Sequence, residues 1–119
     1  MHPELSNKEF KTTETINHWL EKAKIKRLPL SIKTGTAAEI RGLEGPTVAV
    51  RVDIDPLPIQ EESDLPFRSV IDGVAHMCGH DVHTSIVLVV VFVLQELKQL
   101  NRVLGSYHLL FRAFSLKMF

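Results

Sequence analysis

The sequence predicts a single α/β domain, on three observations. A helically spaced stretch near the N-terminus is followed by two short β-prone runs set apart by Gly and Pro. A long apolar segment further on continues into charged residues without a break, and a last β-prone run follows it. Helical and strand-like segments interleaved in one short chain make a sheet with helices packed on it. At 119 residues there is room for one core and no second large lobe.

The first element is a helix predicted from Asn7 to Lys26. Ser6 and Glu9 have the spacing of a capping box, in which each side chain satisfies an orphan donor at the helix start. Phe10, Ile16, Leu20 and Ala23 make the apolar stripe, Glu14, Lys22 and Lys24 face water, and Pro29 ends the run. Strands are predicted at Ala37–Arg41 and Thr47–Asp53, joined as a hairpin through Gly42, Gly45 and Pro46. Val48, Val50 and Val52 alternate with Ala49, Arg51 and Asp53, which puts Arg51 and Asp53 on one face. Residues 55–79 read as a long loop, with Pro56, Pro58, Pro66, Gly73 and Gly79; such loops in small domains are usually functional. Thr84–Leu100 is rich in β-branched residues, yet it runs on through Gln95-Glu96-Leu97-Lys98, and this length predicts a buried helix. Ser106–Phe111 is the last predicted strand.

Composition narrows the partners. Apolar residues make up 45% of the chain and charged residues 24%, with 14 basic against 14 acidic, so there is no basic footprint for nucleic acid. A lone cysteine forms no internal disulfide, which fits a reducing, cytoplasmic compartment. The N-terminus shows no basic region followed by an apolar core, so no signal peptide is expected. The uninterrupted apolar run Ile86–Leu94 is nine residues, against about 20 needed to span a bilayer, so it is expected in a core and not in a membrane.

The densest chemistry lies in His76-Met77-Cys78-Gly79-His80-Asp81-Val82-His83, which holds half of the six histidines and the single cysteine. Imidazole, thiolate and carboxylate are all ligands for zinc and its first-row neighbours. Gly79 between Cys78 and His80 allows the tight backbone that turns both toward one point. The plainer alternatives are a polar surface loop and a cysteine packed as a small hydrophobe. Asp53 and Asp55 stand where a strand runs into the loop. They suit either the orientation of a metal-binding histidine from behind or a solvated turn. No phosphate-cradling Gly-rich loop and no Gly-x-Ser-x-Gly elbow occurs. A Cys78–His nucleophile stays open, although nothing in the sequence lowers the thiol pKa.

His2-Pro3-Glu4-Leu5-Ser6, Arg51-Val52-Asp53-Ile54-Asp55-Pro56-Leu57-Pro58-Ile59, Gln60-Glu61-Glu62, Leu65-Pro66-Phe67 and the octet with Thr84 together resemble a known family. It is the metal-dependent amidohydrolases that include aminoacylases, hippurate hydrolase and the indole-acetyl-amino-acid hydrolases. The resemblance implies a zinc-exopeptidase-like α/β/α catalytic domain with an inserted ferredoxin-like lid that often mediates dimers. It implies amide hydrolysis of N-acyl amino acids at a two-metal centre of manganese, zinc, cobalt or nickel, with a glutamate relaying the proton. By the same resemblance Cys78 is the bridging thiolate and His80 a metal ligand. Asp55 supports the site, and Asp53 stands where distant relatives place a ligating histidine. Asp81 and His83 match motif positions behind the ligands.

The sequence departs from that pattern after the last strand. The family's Phe-Gln-Pro-Ala-Glu-Glu supplies the general base and a ligand, whereas Phe111 is followed here by Arg112-Ala113-Phe114-Ser115-Leu116. Neither glutamate occurs there, nor do the later histidine ligands, the lid or its dimer interface. Residues 1–111 therefore read as the N-terminal part of the catalytic domain, and residues 112–119 as an off-pattern tail. Read in a shifted frame with permissive codons, Phe114–Met118 gives Gln-Pro-Glu-Asp, as an upstream frameshift would leave. Val89, Val90 and Val91 replace residues that are usually small, with overpacking expected to cost about 1–3 kcal/mol, and Pro56 replaces the usual Ala. The expectation is a truncated amidohydrolase, inactive alone and poorly soluble or molten. The rivals are a small metal-binding module and a fragment completed by a separately encoded remainder.

Overall fold

The computed structural model describes residues 2–113; from residue 114 onward the off-pattern tail lies outside the described residues. Helix α1 spans Phe10–Lys22, β1 Lys26–Leu28, β2 Thr36–Arg41, β3 Leu43–Val52, α2 His80–Gln99 and β4 Leu104–Phe111. The sheet order is β1-β2-β4-β3. β4 runs antiparallel to β2 and parallel to β3.

Helix α1 is shorter at both ends than its spacing predicts, and backbone sign is the reason. Asn7 (φ 64°) and Lys24 (φ 56°) both lie in the left-handed region, which no α-helix continues through. At the C-terminus the Lys24 N–H donates to the Glu21 carbonyl and the Ile25 N–H to the Leu20 carbonyl, both at 2.9 Å. This is a Schellman ending with lysine where glycine is usual, sealed by the buried pair Leu20 and Ile25. The predicted capping box does not form. Glu9 sits at the cap position without capping, and its buried carboxylate instead accepts from the Asn7 N–H and the Thr34 hydroxyl. Glu4 holds the helix start, accepting from the N–H groups of Lys11 (3.0 Å) and Thr12 (2.7 Å) and from the Thr12 hydroxyl. Phe10, assigned to the apolar stripe, is 57% exposed, while Ile16 and Leu20 are buried as expected.

The predicted hairpin is split. β2 and β3 meet at Gly42 but never pair, because β4 lies between them. The Gly42 N–H donates to the Gly105 carbonyl and the Leu43 N–H to the Val103 carbonyl, so the turn closes on β4 and not on itself. A Cβ at Gly42 would stand 2.2 Å from the Val103 carbonyl oxygen, so this close approach excludes any side chain there. The β3–α2–β4 path then forms the crossover that parallel neighbours require.

Helix α2 forms as its length predicts and begins earlier, at His80, behind Gly79 in the left-handed conformation (φ 79°). It ends in a second Schellman motif around Asn101. α1 and α2 pack side by side on one sheet face, with Trp19 tilted against Phe92 and Ile16, Leu20, Ala38, Ile40, Val91, Leu109 and Phe111 in one core. The molecule is a slab 48 × 37 × 20 Å, and two layers at about 10 Å each fill its thin dimension. It is part of an α/β/α architecture, with helices on one face only among the described residues.

The expectation that α2 is buried fails. Only Thr84 and Val91 are buried, and Ile86 (54%) and Val89 (59%) head an exposed apolar stripe with Val90 and Val93. The overpacking expected at Val89 and Val90 is absent for the same reason. The helix has 20 residues and, by length and composition alone, is apolar enough to cross a membrane.

Candidate metal-donor site at the start of helix α2

The site forms where β3 runs out and α2 begins. The octet is partly helical: His76, Met77 and Cys78 precede the left-handed Gly79, and His80 is the first helical residue. His80 Nδ1 lies 2.7 Å from the Asp55 backbone carbonyl and 3.5 Å from Asp55 Oδ1. A carbonyl only accepts, so Nδ1 carries the proton, and in the neutral ring Nε2 keeps the lone pair that a metal needs. Asp55 is buried, and one turn further along α2 the Thr84 hydroxyl donates to the Asp53 carbonyl at 3.2 Å.

Arg51 and Asp53, placed on one face by alternation, are ion-paired at 2.8 Å. With Val52, His80, His83, Ile86 and Val87 they line a cleft of about 420 Å³. The His83 ring lies 6.3 Å from that of His80, centroid to centroid. Asp53, Asp55, His80 and His83 are thus brought to one place. Asp81 is not: it lines a separate groove on the outer side of α2, and its charge favours the positive helix N-terminus. Cys78 is exposed and outside the lining of the cleft. His76 is half-buried with its Nδ1 lacking a hydrogen-bond partner; burial pushes its pKa down, opposed by the Asp81 carboxylate.

Thiol and imidazole donors suit a divalent transition metal, and the fixed His80 ring is in ligand form. Among the described residues, however, no three His, Cys, Asp or Glu side chains converge closely enough to enclose an ion. The described residues offer metal donors without closing a site around an ion.

The Gln60-Glu61 block serves the loop. Glu61 accepts from the Ser69 N–H and the Ser63 hydroxyl, which hold its pKa down, and Gln60 accepts from the Gly73 N–H. Thr84 escaped sequence reasoning, although its place four residues after His80 on the same helix face was a signal for it. Arg51 was placed by face but not recognised as a cleft wall.

This architecture is similar to a solved metallopeptidase class. The Bacillus subtilis YXEP protein, described as a dinuclear metal binding peptidase from the M20 family, matches with a TM-score of 0.86 and 44% identity, over 92% of this chain and 31% of that one. Residues 49–113, more than half of the sequence, match peptidase family M20/M25/M40, and the chain belongs to that family. Among curated relatives, a Bacillus subtilis N-acetylcysteine deacetylase is 53% identical over 73% of this chain and 23% of its own length. A Bacillus subtilis N-acetyl-L-cysteine deacetylase is 44% identical over 93% of this chain and 26% of its own length. The chain spans about a quarter of the length of these relatives.

Proposed function

We propose that this chain carries the thiolate–imidazole portion of the divalent metal centre of an amidohydrolase acting on N-acyl amino acids such as N-acetylcysteine. The observation that carries the reading is the His80 imidazole, locked by the Asp55 carbonyl in the form that offers Nε2, two residues from Cys78. Cys78 and His80 would hold the ion, with Asp55 fixing His80, and Asp53 and His83 lining the adjoining cleft. A divalent ion, manganese or zinc, or cobalt or nickel in their place, would supply Lewis-acid polarisation of the scissile carbonyl.

The chain alone is inactive in this reading, because its described residues gather too few donors to close a centre and no glutamate stands at the cleft. Cobalt(II) should give thiolate charge-transfer absorption that disappears in Cys78→Ala and weakens at least tenfold in His80→Ala. Absence of that band in the wild-type chain counts against the donor assignment. Release of cysteine from N-acetylcysteine by the wild-type chain, and not by Cys78→Ala, would overturn the inactivity.

A second reading, completion by a separate polypeptide, is favoured by the exposed stripe on α2 and the outward edge of β3. Co-expression with the remaining length of a relative should yield a copurifying, active pair; independent elution of the two would sink it.

A further inference from the structure

We propose that Thr84 is a positioning residue for His80, acting through a two-rung clamp between the chain after β3 and the first turns of α2. One rung is His80 Nδ1–H to the Asp55 carbonyl (2.7 Å), and the other is the Thr84 hydroxyl to the Asp53 carbonyl (3.2 Å). The rungs match in spacing. Four helical residues rise about 6 Å, and two extended residues advance about 6.6 Å. His80 and Thr84 lie on one helix face, and alternate carbonyls of an extended chain point the same way, so both bonds close together. The order is antiparallel, with the later helical residue meeting the earlier carbonyl.

Each rung lacks something the other supplies. The His80 ring turns about its side-chain bonds, and Nδ1 or Nε2 is equally able to donate to a carbonyl if the helix shifts. Thr84 is 9% exposed, and its β-branched side chain has few rotamers, so its hydroxyl sets where α2 stands against the chain after β3. With that position set, only Nδ1 of His80 meets the Asp55 carbonyl. Nothing in this requires a bound metal; the metal readout alone rests on the proposed function.

The test is the tautomer of His80 in the full chain above neutral pH, read from long-range proton–nitrogen correlations and assigned by its loss in His80→Gln. The wild type is expected to carry its proton on Nδ1. Thr84→Val should mix the tautomers and weaken zinc binding about tenfold, and Thr84→Ser should restore both. A wild-type proton on Nε2 overturns the proposal, as does an unmixed tautomer in Thr84→Val or a failure of Thr84→Ser to restore it. If Thr84→Val does not fold, Thr84→Ala, which also lacks the hydroxyl, takes its place with the same deciding outcomes. Absence of zinc binding by a wild type with the expected tautomer refutes the metal reading and leaves the clamp standing.

Discussion

The two halves of the molecule bury themselves to different extents. Around β2 and α1, every apolar residue of the strand is enclosed, and Ile16, Leu20 and Ile25 close the helix onto it. Around β3 and α2, the strand is exposed until Val52 and the helix buries one apolar side chain, Val91. α2 is the more apolar of the two helices, so what separates the halves is not hydrophobic content but whether a second surface is present. The first half is complete, and the second is built as an interior still facing water.

The sharpest break of that comparison is a pair of truncations. Leu20→Ala should cost about 3 kcal/mol by cavity formation, whereas Val89→Ala should stay within about 0.5 kcal/mol. Denaturant midpoints measure both, and equal losses would mean that the α2 stripe is covered. Val89→Lys together with Val93→Lys should reduce self-association without lowering the midpoint, checked by sedimentation.

Acid titration sharpens the picture in the completed half. There the Lys26 ammonium, and then the Arg41 guanidinium, hold the Glu39 carboxyl down to about 2, from an ordinary 4.5. A lowered folded pKa stabilises above the unfolded value, and that contribution is lost as pH falls from 4.5 through about 2. Glu39→Gln should therefore flatten the loss of stability across that window, seen in melts at stepped pH. A small effect also belongs to the open half: Arg51→Ala removes an ion pair worth at most about 1 kcal/mol, with its partner Asp53 only half-buried. A larger loss in the melting curve would show that Arg51 does more than pair.

Much of the fold was legible because helices and strands impose their own periods on apolar residues, buried or not. The valines of β3 and the Ile16–Leu20 stripe of α1 appear where alternation and helical spacing place them. The split hairpin was not, since strand order depends on β4, distant in sequence from the turn at Gly42. β1 was missed because three residues, Lys26–Leu28, carry no usable period. The capping box misled because Ser6 and Glu9 have the right spacing, while the helix starts later and Glu4, outside the motif, takes its first free donors at Lys11 and Thr12. At the site, clustering in the octet pointed to His80 and His83, which line one cleft. Asp53 and Asp55 stood out as candidates to orient a histidine, but the bond that forms runs from His80 to the Asp55 backbone carbonyl, which has no sequence signature. Likewise the exposure of α2 was illegible, because an interior residue reads the same in sequence whether or not its cover is present.

The split hairpin also sets an order of events during synthesis. β2 and β3 leave the ribosome together, but the strand that must lie between them begins 52 residues after β3 ends, at Leu104 against Val52. At ordinary elongation speeds that is a wait of roughly 3–10 s, long beside the microseconds in which a hairpin closes. In that interval the two strands are free to form the plain hairpin that local sequence favours. Any such hairpin must open before β4 can lie between the strands, so the simplest local pairing in this chain competes with its sheet.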